Sequence, residues 1–167
     1  MINYNLTYNH KGLNQLNFYK AADLYSPSIY RLLVDTYGRD DIFILSAGWG
    51  LIKSDYLIPS YDITFSANSK IHDSKKRKKK EQYNDFNYLS GLTNKNDNIY
   101  FFGGLDYLHL YYNLTINIPE RKVIYYISMN IPKIRGYEYI QYPNPKGRKQ
   151  NWHYSCVKDF INGNLQR

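Results

Sequence analysis

Apolar residues along this chain gather in short runs, and the spacing inside each run predicts an element. In AADLYSPSIYRLLVDTYG, residues 21–38, Ile29, Leu32 and Leu33 recur at helical spacing. Ser26 stands where an N-cap belongs, Pro27 can open the first turn, and Gly38 stops the helix. DDIFILSA, residues 40–47, is too short for a buried helix and rich in β-formers, so it predicts a central strand covered on both faces and ended by Gly48 and Gly50. SKKRKKKEQYNDFNYLSGL, residues 74–92, opens with charge and continues as an expected helix whose apolar positions include Tyr83, Phe86 and Leu89. NIYFFGGLDYLHLYYNL, residues 98–114, repeats the earlier grammar of strand, two glycines, then helix. KVIYYISM, residues 122–129, adds a strand, and residues 150–161 a closing helix after YPNPKGR. Residues 2–8 offer a weaker strand. Two strand–glycine–helix units predict an α/β fold: a single domain over residues 1–167 with a mainly parallel central sheet and helices on both faces.

The chain's 167 residues, 43% of them hydrophobic, suffice for one continuous core. No apolar run reaches membrane-spanning length, and MINYNLTYNHKG lacks the order of a signal peptide, so a cytoplasmic protein without membrane association is expected. Cys156 is the single cysteine, and His10, His72, His109 and His153 show no ligand spacing; neither a disulfide, a metal nor a cofactor is implied. Twenty tyrosines beside abundant Asn, Lys and Ile look like the coding bias of an AT-rich genome, which discounts part of the aromatic excess as functional signal. The net charge of +8 favours a polyanionic partner, DNA or a nucleotide.

In an open α/β sheet, ligands bind beyond the carboxyl ends of the strands. Both glycine loops, SAGWG and FFGGLDY, are expected at such ends. If their strands are neighbours, Ser46, Gly48, Trp49, Gly50, Asp55, Tyr61 and Asp62 share a pocket with Gly103, Gly104, Asp106 and Tyr107. Glycines allow close backbone approach, and Trp49 or Tyr107 could stack on a flat ring. The competing expectation is that the glycines only turn the chain and the aromatics fill the core.

Three segments carry a resemblance: DLYSPSIYRLL, then ILSAGWGLI with YLIPSYDITF, then FFGGLDYLHL. Over residues 21–112 they resemble the YaaA-like family, through Asp23, Leu24, Tyr25 and Ser26; Leu45, Ser46, Ala47, Gly50 and Leu51; Pro59, Tyr61 and Asp62; and Gly104 with Tyr107. Two departures stand out. Ser60 interrupts the family's P-Y-D element, and INYNLTYNHKGLNQL differs from its usual opening strand and Lys-rich loop. The resemblance implies a nucleic-acid-linked role, since the group is similar to base-exchanging transglycosylases and to DNA glycosylases acting on modified bases. Cleavage of an N-glycosidic bond passes through an oxocarbenium-like transition state, which needs a carboxylate near C1′, a site for the base and contacts to phosphate. Asp62 is the expected carboxylate, with Asp23 and Asp106 in reserve. Trp49, Tyr61 or Tyr107 could receive a flipped base.

The densest charge is Lys75, Lys76, Arg77, Lys78, Lys79 and Lys80, preceded by Lys70. Six like charges repel, so the segment is expected to order on an anion and to position a nucleic-acid backbone without reading bases. Arg135, Lys146, Arg148 and Lys149 form a looser basic group. Two other functions fit the same residues: a non-catalytic binder of DNA or of a nucleotide signal, and a protein-binding inhibitor that kept the fold and lost the site.

Overall fold

The structure, a computed structural model, describes residues 14, 17–25, 28–61, 63–65, 75–78, 82–91, 97–144, 147 and 150–166. The chain divides into two compact units, Met1–Tyr88 and Leu89–Arg167. No helix among the described residues is long and apolar enough to cross a membrane.

In the first unit, β1 (Tyr19–Lys20) leads directly into a single turn, α1 (Ala21–Leu24), and then into α2 (Ser28–Tyr37). The first turn of α1 has no side-chain cap. Its free amides are met by backbone instead: Ala21 N–H donates to Tyr56 O and Ala22 N–H to Ser54 O, both at 2.9 Å. Gly38, at φ +84°, ends α2 in the left-handed conformation as its N–H returns to Val34 O. Ser26 and Pro27, the expected cap and opening turn, lie outside the described residues.

The strand from DDIFILSA is β2 (Phe43–Ser46), and it does not lead into a helix. After Ala47, Gly48 and Trp49 the chain reverses into β3 (Gly50–Lys53), which pairs antiparallel with β2 from Ser46↔Gly50 to Phe43↔Lys53. Gly50, at φ +84°, supplies the left-handed residue that closes such a three-residue hairpin. Its missing side chain also admits a neighbour. β7 (Phe86–Asn87) pairs parallel with β3, and a Cβ on Gly50 would stand 2.6 Å from Phe86 O. β4 (Leu57–Ile58) pairs antiparallel with β1, while β5 (Ile63–Thr64) pairs parallel with β6 (Lys75–Lys76). Ala21, Ile42, Ile44, Trp49, Ile52, Tyr56 and Ile58 form the core of this unit.

The second unit has the layered form expected of α/β proteins. β8 (Asn98–Phe102), β9 (Arg121–Tyr126) and β10 (Glu138–Gln141) are parallel in the order β10-β9-β8. α3 (Leu105–Thr115) covers one face, where Phe101 stacks on Tyr111 with ring centres 4.4 Å apart. α4 (Trp152–Ile161) covers the other, where Phe160 meets Tyr100, Phe102 and Tyr125. Val123, Ile124 and Tyr125 between the two layers are fully buried. The crossover from β9 to β10 lies on the α3 side, since Tyr112 donates to Pro132 O at 2.6 Å.

The fold class expected from sequence is therefore corrected. The protein is mixed α/β, and no single, mainly parallel central sheet organises it: β2, read as a central strand, is at the edge of the order β2-β3-β7, its partner is antiparallel, and β8 belongs to a different sheet. The physical cause is the hairpin at residues 47–49, which uses the downstream Leu51 and Ile52 as a second strand rather than as a loop wall. The helix expected around Tyr83, Phe86 and Leu89 is likewise replaced by β7 and a 3₁₀ turn, Tyr88–Gly91.

Candidate functional site

The hairpin tip organises a chain of hydroxyl groups. Ser46, the last residue of β2, accepts hydrogen bonds on Oγ from the N–H groups of Gly48 and Trp49, each at 3.1 Å. Ser46 Oγ also lies 2.5 Å from the Tyr61 hydroxyl, which is hydrogen-bonded in turn to the Tyr25 hydroxyl. Burial, reinforced by the Tyr61 phenol beside it, pushes the Tyr25 pKa well up; burial also raises that of Tyr61. Both phenols stay protonated at neutral pH. Gly48 is small because the Tyr61 ring crosses it, 3.0 Å from where a Cβ would be.

Trp49 is 9% exposed, parallel to Phe86 and edge-on to Tyr61, each with ring centres 6.2 Å apart. It packs the core instead of presenting a face to a base. Gly50 is committed to the passage of β7.

Behind the same hairpin sits the residue that most changes the picture of the basic run. Arg77 is a buried ion-pair partner: its Nη1 and Nη2 each lie 2.6 Å from an oxygen of Asp85, with side chains 3% and 12% exposed. Nη1 also donates to Ala47 O at 3.0 Å, and the guanidinium lies over the rings of Tyr83, at 4.1 Å, and Phe65, at 5.3 Å. Arg77 N–H continues the ladder to Thr64 O. Arg77, just past the end of β6, turns inward, while Lys76 and Lys78 on either side are exposed. Lys75 contributes backbone to β6; Lys79 and Lys80 lie outside the described residues.

The remaining candidates that the structure describes lie on different elements. Asp23, half-exposed, pairs with Arg39 at 3.4 Å. Asp62 lies outside the described residues. Gly103, Gly104, Asp106 and Tyr107 come together at the turn from β8 into α3, in the second unit. There a Cβ on Gly103 would stand 2.4 Å from the Phe101 ring, Gly104 precedes the helix, and Asp106 sits in its acid-favouring first turn. The strands of that sheet follow chain order without reversal, so the crevice that a switch in strand order opens is not formed by them. Among the described residues, no group of three or more His, Cys, Asp or Glu could hold a metal ion. Burial pushes the Cys156 thiol up to about 12, which leaves it unreactive.

Sequence reasoning missed Tyr25 as the partner of Tyr61 and Asp85 as the partner of Arg77. Tyr25 stands in the D-L-Y-S element, but nothing in a single sequence shows which hydroxyl it meets. Asp85 is one of two carboxylates, with Glu81, that follow the six cations, and nothing in a single sequence singles it out as the partner of Arg77. No protein-family model, curated protein or solved structure matches this chain.

Proposed function

We propose that this protein binds nucleic acid, setting its basic strand against the sugar–phosphate backbone, and that it is related to the YaaA-like proteins its motifs resemble. The observation that carries the reading is the alternation at residues 76–78. A buried Arg77 fixes the segment, and the two exposed lysines beside it are thereby held in place. Cations on an anchored strand have less freedom to lose on meeting phosphate than cations on a mobile tail. The net charge of +8 adds long-range attraction. A cytoplasmic location with DNA or a nucleotide as partner belongs to the same proposal.

Contacts of this kind release counterions, so affinity should fall linearly with salt on logarithmic axes. Anisotropy titrations of a short duplex and of a single strand across a salt series test this; no binding to either at low salt overturns the proposal.

A second reading adds catalysis, with Asp62 as the carboxylate that stabilises an oxocarbenium-like sugar while an N-glycosidic bond breaks. It is favoured by the position of Asp62 directly after Tyr61, whose hydroxyl is held by Ser46. Incubation with modified and unmodified DNA should then generate abasic sites, and Asp62→Asn should abolish them. Release of no base from any substrate would leave binding alone.

A further inference from the structure

The order of the basic segment comes from inside the protein. Arg77 is 5% exposed and its guanidinium is committed: Nη1 and Nη2 each lie 2.6 Å from a carboxylate oxygen of Asp85, and Nη1 also donates to Ala47 O at 3.0 Å. The planar fork meets the carboxylate at both oxygens, which fixes direction as well as distance. The rings of Tyr83 and Phe65 lie against the guanidinium, and the Arg77 N–H donates to Thr64 O at 2.9 Å. Lys75 and Lys76, just before it, pair with Ile63 and Thr64. Side chain and main chain are thus both held at the residue between Lys76 and Lys78. A cation so engaged positions its neighbours rather than reaching a phosphate itself.

Two lysines carried on a held segment meet phosphates at a set separation. That suits a partner whose own phosphates are stiffly and evenly spaced, as along a duplex. A flexible polyanion must give up its own freedom to match the same separation, and that cost subtracts from its affinity. Lysines on a loose loop make no such distinction, because the loop adapts to either partner.

We propose that Asp85 is a positioning residue for the phosphate contact: through Arg77 it fixes Lys76 and Lys78, and the fixed pair favours duplex nucleic acid over a flexible single strand. This rests on the nucleic-acid reading above and deepens it by naming the form of nucleic acid selected and the residue that sets the selection. Asp85, a carboxylate 12% exposed, touches no phosphate in this scheme.

The test separates position from charge. Arg77→Met with Asp85→Leu removes one cation and one anion together, so the net charge stays at +8. Arg77→Lys, which keeps the charge and loses the fork, takes its place if that variant does not fold. Affinity is measured by anisotropy on a short duplex and on a single strand of the same length, with circular dichroism as a fold check. The duplex's higher charge density favours it for wild type and variant alike, so the measure is how the ratio of the two affinities changes. The variant should lose about tenfold on the duplex and little on the single strand, at an unchanged salt slope. A partly unfolded population lowers both affinities in proportion, so a merely structural role does not move the ratio. A ratio that stays or rises overturns the inference and leaves the nucleic-acid reading standing. A shallower salt slope in Arg77→Met with Asp85→Leu also overturns it, by showing that Arg77 itself meets phosphate. A wild-type protein that binds neither probe removes both.

Discussion

Asp85→Ala is expected to destabilise the first unit by about 3–5 kcal/mol, because it strips the partner from a guanidinium that remains buried. That is a large part of the roughly 5–15 kcal/mol that holds a typical domain folded. The loss comes from the unpaired charge more than from the absent attraction. The double variant Arg77→Met with Asp85→Leu, which replaces both charges by apolar groups, should accordingly recover most of the stability. Urea unfolding of the two variants checks this: a single variant within about 0.5 kcal/mol of wild type would mean that the pair is exposed to water in solution.

A second large effect is expected in alkali. Burial is the leading cause of raised pKa values at Tyr25, Tyr61, Tyr111, Tyr112 and Tyr137. A phenol whose pKa is higher in the folded chain than in the unfolded one holds more protons when folded. Its contribution to stability is full below the ordinary value of 10.0 and is lost as pH climbs through the folded value. Lys122, buried and with a lowered pKa, acts in the opposite direction just below its ordinary value of 10.5, but it is one group against many. The protein should therefore unfold cooperatively above pH 10, with tyrosinate absorbance rising in step with the loss of circular dichroism. Smooth titration around pH 10 with the fold intact would contradict the burial described for these rings.

How much of this was legible beforehand differed between the two halves of the chain. β8, α3, β9 and α4 follow from their residues directly: continuous apolar runs mark strands buried on both faces, and helical spacing marks the layers that cover them. The first unit was harder because its strands are two to four residues long, too short for periodicity to declare itself. GWGLI reads equally well as a loop or as a tight hairpin, and which one forms depends on β7, whose approach to Gly50 is a long-range event. The helix expected over Tyr83, Phe86 and Leu89 failed for the same reason, since strand pairing at Phe86 and Asn87 overrides a weak local preference.

The candidate site shows a similar division. Ser46, Gly48 and Tyr61 meet at the hairpin tip, whereas Trp49 and Gly50 serve packing. The FFGGLDY residues cluster in another sheet, so the pocket expected from two adjacent strand ends does not follow from the strand order. Within the basic run, summed charge concealed an alternation. Six cations in sequence suggest one uniform surface, yet Arg77, between two exposed lysines, faces the other way and finds Asp85.

In the proposed binding mode, Lys76 and Lys78 meet phosphate from a segment that Arg77 holds in place. Its most direct test is the slope of logarithmic affinity against logarithmic salt, measured on one duplex for the wild type and for Lys76→Gln with Lys78→Gln. The account predicts a slope shallower by about two for the double variant, with uniformly weaker binding across sequences. An unchanged slope and affinity would contradict it.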